Sequence, residues 1–278
     1  MAKITEQHRQ AYHEKAKHYA AIADGLLKTE KTILLGMHND TPEAAAFKRL
    51  TLVDEMLNLT SNYIAVNGIS QAVLKVKNEE ALNDARKSLY KAVIYLEEIV
   101  TSHIDAPFSE YEENLAMIES VDAGQRYHLI RKMGLAIDLL EQAYGDNSKW
   151  RWTFVELEGR FTAVAKNIID LRNAITNIDP SSPNYEASVY HFRMVKKLLL
   201  QSADRYRKKY ELSTNQIHDF KMGIQFLSAL RRLHSILYDK DEVEEVKKKL
   251  NIWTAKLETD IKKQEEAKKT NGTAQKVP

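Results

Sequence analysis

The chain has no cysteine, and only nine glycines and five prolines in 278 residues. Without cysteine there can be no disulfide, no thiolate metal site and no cysteine nucleophile, and the composition agrees with a reducing compartment. The shortage of glycine and proline leaves the backbone few stopping points. A sheet protein would need a turn roughly every ten residues, so the shortage favours long helices. Long apolar runs are missing as well. No stretch approaches the roughly 20 apolar residues of a membrane-spanning helix, and the first twenty residues lack the apolar core of a signal peptide. These absences lead to the expectation of a soluble, cytoplasmic protein with no membrane insertion.

Several chemistries lack their signatures. The chain contains no Gly-x-Gly-x-x-Gly, no phosphate-cradling GxxxxGK[ST] and no Gly-x-Ser-x-Gly. A carboxylate-bridged di-iron bundle requires Glu-x-x-His, because that spacing puts both ligands on one inward helical face. None of the nine histidines has a glutamate three residues before it. His8, His13 and His18 look clustered, but steps of five residues turn about 140° around a helix, so the three point in different directions. Paired acids such as Glu97-Glu98 and Glu112-Glu113 are consecutive and splay apart. The expectation is a non-enzyme with no cofactor and no metal.

What the chain does hold is periodicity. Phe154, Leu157, Phe161, Val164, Ile168, Leu171, Ile175 and Ile178 follow at alternating steps of three and four. Such steps keep side chains on one helical face, which predicts a long central helix over 154–178, preceded by Ser148 as its cap. Similar stripes run through Leu82, Ala85, Leu89, Ala92, Leu96 and Ile99, through Tyr127, Ile130, Met133, Ile137, Leu140 and Tyr144, and through Val243, Val246, Leu250, Trp253 and Leu257. A first helix is expected from about Thr5 to Met37. Thr41-Pro42 and Asn78 read as helix starts, Asn67-Gly68 as a stop or kink, and Gly145 as a helix end. The residues from Ile217 to Leu237, capped by Ser213 or Thr214, carry apolar positions round most of a helix, so this helix is expected to be the most buried.

These readings give an all-α fold of about seven to nine helices, either an antiparallel bundle or stacked helical hairpins resembling a short solenoid. Residues 1–264 are expected to form a single helical domain with a candidate sub-boundary at the loop 179–184, and residues 265–278 a disordered tail. An internal echo relates Leu89–Val100 to Met133–Tyr144 at an offset of 44 residues. The Trp, Gly and Pro landmarks of tetratricopeptide arrays are absent, and two chance copies of a common amphipathic pattern explain it better than a repeat does.

The net charge of +2 conceals opposed regions. Residues 78–123 hold three bases against eleven acids, and residues 185–270 hold 19 bases against 13 acids. Such regions can meet each other, other copies of the chain or different partners. Lys149-Trp150-Arg151-Trp152-Thr153-Phe154 is the most unusual local composition. Two tryptophans two residues apart cannot both lie on one seam, so one is expected beside Arg151 at the surface. Trp150, Arg151, Trp152, Glu156 and Arg160 are therefore the candidate partner-binding residues, since Trp and Arg are enriched in binding hot spots. Glu156 and Arg160 also have the i,i+4 order that supports a helix.

The alternative is a basic surface formed by Arg193, Lys196, Lys197, Arg207, Lys208 and Lys209, which would grip phosphates in a nucleic-acid-binding protein using the 193–249 region. The aromatic residues interleaved there, Phe192, Tyr206 and Tyr210, belong to an apolar stripe. The functional expectation is thus a non-catalytic interaction or scaffolding protein with protein partners, self-association being one form of such contact.

Overall fold

A computed structural model describes residues 4–145 and 149–274, with side chains as far as residue 266. Within these residues the protein is all-α. Ten α-helices occur: α1 (Glu6–Gly36), α2 (Pro42–Leu74), α3 (Glu79–Glu97), α4 (Glu112–Ala116), α5 (Ala123–Tyr144), α6 (Arg151–Asn167), α7 (Ala174–Asn177), α8 (Tyr185–Lys209), α9 (Ile217–Ile236) and α10 (Lys240–Ala274). Two of them, α4 and α7, are single turns of five and four residues, which leaves eight long helices. None of the described helices is long and apolar enough to cross a membrane. From residue 267 on, the tail expected over 265–278 lies outside the residues whose side chains are described.

Helix starts follow local chemistry. Thr5 caps α1, Thr41 precedes Pro42 at the head of α2, and Asn78 takes the backbone N–H of Ala81 at 2.9 Å to start α3. Asp122 and Gln125 form a reciprocal capping box at the start of α5. The Asn67-Gly68 pair neither stops nor kinks α2. Asn67 instead turns its carbonyl to the backbone N–H of Asn78 at 2.9 Å, bracing the turn between α2 and α3. Ser148 lies outside the described residues.

The chain divides into two compact units, Met1–Tyr190 and His191–Pro278, with α8 passing from one to the other. In the first unit α1, α2 and α3 pack in succession, and the hairpin α5–α6 packs beside the hairpin α2–α3. The echo at an offset of 44 residues falls on α3 and α5. It therefore matches the second helix of one hairpin with the first of the next, and does not mark a repeating hairpin.

The predicted stripe of α3 is buried throughout, and that of α5 is buried from Ile130 on, with Tyr127 half-buried. The pattern fails at the end of the longest stripe. The expected helix over 154–178 stops at Asn167, and the reason is polar. The buried guanidinium of Arg126 donates to the carbonyl of Ile168 at 3.1 Å and to those of Ile118 and Val121 at 2.9 and 2.8 Å. The Asn167 amide donates to the carbonyls of Thr101 and His103. Beyond this point Asp170 accepts the backbone N–H of Arg172 and closes a turn. Ile175 is left exposed while Ile169 and Ala174 turn inward.

Even shortened, α6 buries eleven of its seventeen residues, against nine of twenty in α9. The most buried helix is therefore α6, not the expected 217–237 segment. Helix α1 is the least buried of the long helices in this unit, with Ala23 and Glu30 inside. The Glu30 carboxylate accepts from Lys91 Nζ at 2.8 Å and from the Tyr95 hydroxyl at 2.6 Å, tying α1 to α3.

In the second unit the residues of α8 from His191 on, α9 and α10 pack with Phe192, Val195, Leu199, Leu227, Leu230, Val246, Leu250 and Trp253 inward. Gly223 permits the close approach. A Cβ there would lie 3.1 Å from the Ala203 carbonyl and 3.3 Å from the Trp253 ring. The expected Ser213 or Thr214 cap of α9 is replaced by a π-helical turn, Tyr210–Thr214, and Gln216 occupies the cap position. Thr214 serves indirectly, its hydroxyl accepting the Gln216 N–H and donating to Asp219 in the first turn of α9.

Candidate functional site

The predicted aromatic start of α6 folds into a cluster with α3 and α5. Trp150 sits at the cap position with near-helical backbone, and its carbonyl accepts the N–H groups of Thr153 and Phe154. Its ring meets that of Tyr144 at 6.1 Å, and Tyr144 meets Phe154 edge-on at 5.7 Å. One face of Trp150 carries the Arg86 guanidinium, 4.6 Å from the ring centre, and Lys149 lies at 5.3 Å. Two residues on, Trp152 points elsewhere and carries Arg151 at 5.0 Å. Both tryptophans are half-buried and Arg151 is exposed. The two rings thus take different sides of the helix start, as their spacing requires.

Tyr90 links this cluster to the next turn of α6. Its ring lies between Arg86 at 5.9 Å and Arg160 at 5.8 Å, and its hydroxyl donates to the Thr153 carbonyl at 3.3 Å. Burial, reinforced by the nearby Glu156 carboxylate, pushes the Tyr90 phenol up to about 12. Arg160 grips Glu97 of α3 with two parallel hydrogen bonds, Nε donating to Oε1 at 2.9 Å and a terminal nitrogen to Oε2. That bond to Glu97 holds the guanidinium above its ordinary pKa. The Arg160 guanidinium is hydrogen-bonded to Glu97, and Glu156, exposed one turn earlier, acts on it through its charge.

The site therefore consists of half-buried indole and phenol rings whose faces are held by guanidinium groups. Residues 8–261 match the TP0443 family. The chain belongs to the TP0443 family. No curated protein and no solved structure matches it. The matched span of this TP0443-family chain includes the whole aromatic–arginine cluster and the basic residues of the second unit.

Those basic residues are mostly engaged. Lys196 pairs with Asp239, Arg207 with Glu211 at 2.9 Å, Lys209 with Asp219 at 2.9 Å and Lys249 with Asp204 at 2.9 Å. Lys197 and Lys208 are exposed, as is Arg193. In this TP0443-family protein the basic residues divide between an exposed set, Arg193, Lys197 and Lys208, and a half-buried set, Lys196, Arg207 and Lys209, whose acids come from other turns and helices. Among the described residues no three His, Asp or Glu side chains converge as a metal site would require.

Arg86 and Tyr90 complete the aromatic cluster without being candidates from the sequence, and Tyr144 enters it from the apolar stripe of α5. A signal for the first was present. Arg86 is one of only three bases in the acidic stretch 78–123, and Tyr90 follows it at the i,i+4 spacing that brings the two together on α3.

Proposed function

We propose that this TP0443-family chain is a non-catalytic interaction protein that binds protein partners through its helical surfaces, centred on Trp150, Arg151 and Trp152. The observation that supports this reading is the pair of half-buried tryptophans, each with a cation over its ring. Rings held in this way lose little conformational freedom on binding, and Trp, Tyr and Arg are the residue types that dominate interface energetics. Glu156, exposed beside them, contributes a rim charge. Our reading takes the setting to be cytoplasmic, with which the lack of cysteine agrees.

Affinity capture from native extract tests the proposal, comparing the wild type with an Arg151→Ala, Trp152→Ala variant of equal melting temperature. The expected result is a defined partner set that the variant loses. An empty set, or one the variant retains, overturns the reading.

The nucleic-acid alternative through 193–249 has less support, because binding by counterion release needs cations free to meet phosphates and Lys196, Arg207, Lys209 and Lys249 are already paired with acids. Retention on heparin that falls steeply with salt would favour it over the protein-partner reading.

A further inference from the structure

On the helices that frame the aromatic cluster, several bases are neutralised by acids. Lys87 and Lys91 of α3 meet Asp84 and Glu30, and Arg160 of α6 grips Glu97. The cations around Trp150 are different. Arg86 spends one terminal nitrogen on the neutral Asn83 side chain at 2.9 Å, and Lys77 gives its ammonium to the Tyr144 carbonyl at 2.9 Å. Lys149 is exposed and meets the Trp150 ring. Among the described residues no carboxylate pairs with any of these three. Two donors in the same cluster are also unmatched. The Arg86 Nε–H is buried and has no acceptor. Tyr144, 5% exposed, has Arg86 beside its hydroxyl and no acceptor for the hydroxyl proton. A buried donor left without an acceptor costs free energy. The group that would satisfy both is an acceptor, and three cations without counter-charges favour an anionic one. Glu79 and Asp84 bear on Tyr144 through their charge, but neither pairs with these cations, and Asp84 is committed to Lys87.

We propose that the Trp150 cluster receives a carboxylate from an acidic segment of a protein partner. This rests on the reading of the region as a partner-binding surface and adds the chemistry of the partner. The Arg86 guanidinium, half-buried and 4.6 Å from the Trp150 ring centre, is held by that ring and by Asn83. A guanidinium so oriented offers a carboxylate charge-assisted hydrogen bonds. Lys149, 5.3 Å from the same ring centre, adds a second charge, and Lys77 a third at the end of α5. A nucleic acid suits the cluster less. Bases bind by stacking on open ring faces, whereas Arg86 lies over Trp150 and Arg151 over Trp152.

The test is a titration of the full chain followed by NMR of the Trp150 indole N–H, with octaglutamate as the acidic segment and octaglutamine as its neutral counterpart. A saturable shift is expected with octaglutamate and not with octaglutamine, and the affinity should fall as salt rises. Lys149→Glu, at an exposed position, should weaken binding about tenfold. Arg86→Met should weaken it further, and Lys149→Glu serves alone if that variant does not fold. Absence of a saturable shift, an equal response to octaglutamine, octathymidylate binding as tightly as octaglutamate, or affinity unchanged by the folded variants would each overturn the proposal. Its failure is distinct from that of the broader reading. If octaglutamate does not bind while the Arg151→Ala, Trp152→Ala variant still loses its partner set, the acidic partner alone is removed. An empty partner set with octaglutamate bound at Trp150 removes the protein-partner reading and supports the carboxylate site.

Discussion

The ammonium of Lys166 lies 5.6 Å from the centre of the Tyr111 ring, inside the first unit, where both residues are buried. Burial pushes Lys166 down to about 8, whereas an unfolded lysine titrates near 10.4. Between these values the unfolded chain holds the extra proton, so stability rises with pH across that window. Above about pH 10 the trend reverses, because Tyr90, Tyr95 and Tyr111 keep their protons longer in the folded state. Urea unfolding should show a gain of about 2 kcal/mol between pH 7 and 10. In Lys166→Met that rise should vanish and stability at pH 7 should increase. A flat profile in the wild type would refute the assignment.

The Arg160–Glu97 pair gives a second expectation. The Glu97 side chain is 10% exposed and Arg160 31%, so the pair is only partly screened. A double-mutant cycle with Arg160→Ala and Glu97→Ala should return a coupling of about 1–2 kcal/mol. Arg160→Lys should recover less than half of it, because an ammonium cannot reproduce the guanidinium fork. Full recovery by lysine would show that charge alone accounts for the pair.

The break in the long stripe can be tested by placing one charge on each side of it. Leu157 is 1% exposed and Ile175 is 49% exposed. Leu157→Asp should unfold the first unit, since a charge in that seam has neither water nor partner. Ile175→Asp should change stability by less than about 0.5 kcal/mol. Equal damage from both in thermal melts would restore the single helix over 154–178.

Helix α9 closes in an unusual way. The N–H of Asp239 donates to the His234 carbonyl and that of Tyr238 to the Ser235 carbonyl, with Tyr238 at φ 59° where glycine is usual. The Tyr238 side chain is 76% exposed, so it recovers little packing energy for the strained backbone. Tyr238→Gly should therefore raise stability by about 1 kcal/mol, read as a higher melting temperature. A lower one would mean that the ring makes a contact worth more than the strain.

Much of the fold could be read directly from the residues. The helix starts near Thr5 and at Thr41 and Asn78 and the stripes of α3 and α5 depend on neighbours within a few positions, where spacing fixes geometry. The candidate site was legible in part. Trp150 and Trp152 had to diverge because of their spacing, but nothing local indicated that Arg86 of α3 would cover one of them.

The sequence by itself determined that this protein is all-α, where α1, α2 and α3 begin, and which faces of α3, α5 and α10 turn inward, because periodicity and capping are local properties of the backbone. Only the tertiary structure decided where the longest stripe ends, which helix is most buried and which charge meets which. The stripe continues past Ile168, yet the helix does not. Arg126, 42 positions earlier, takes the Ile168 carbonyl, and such a bond exists only once α5 and α6 have packed.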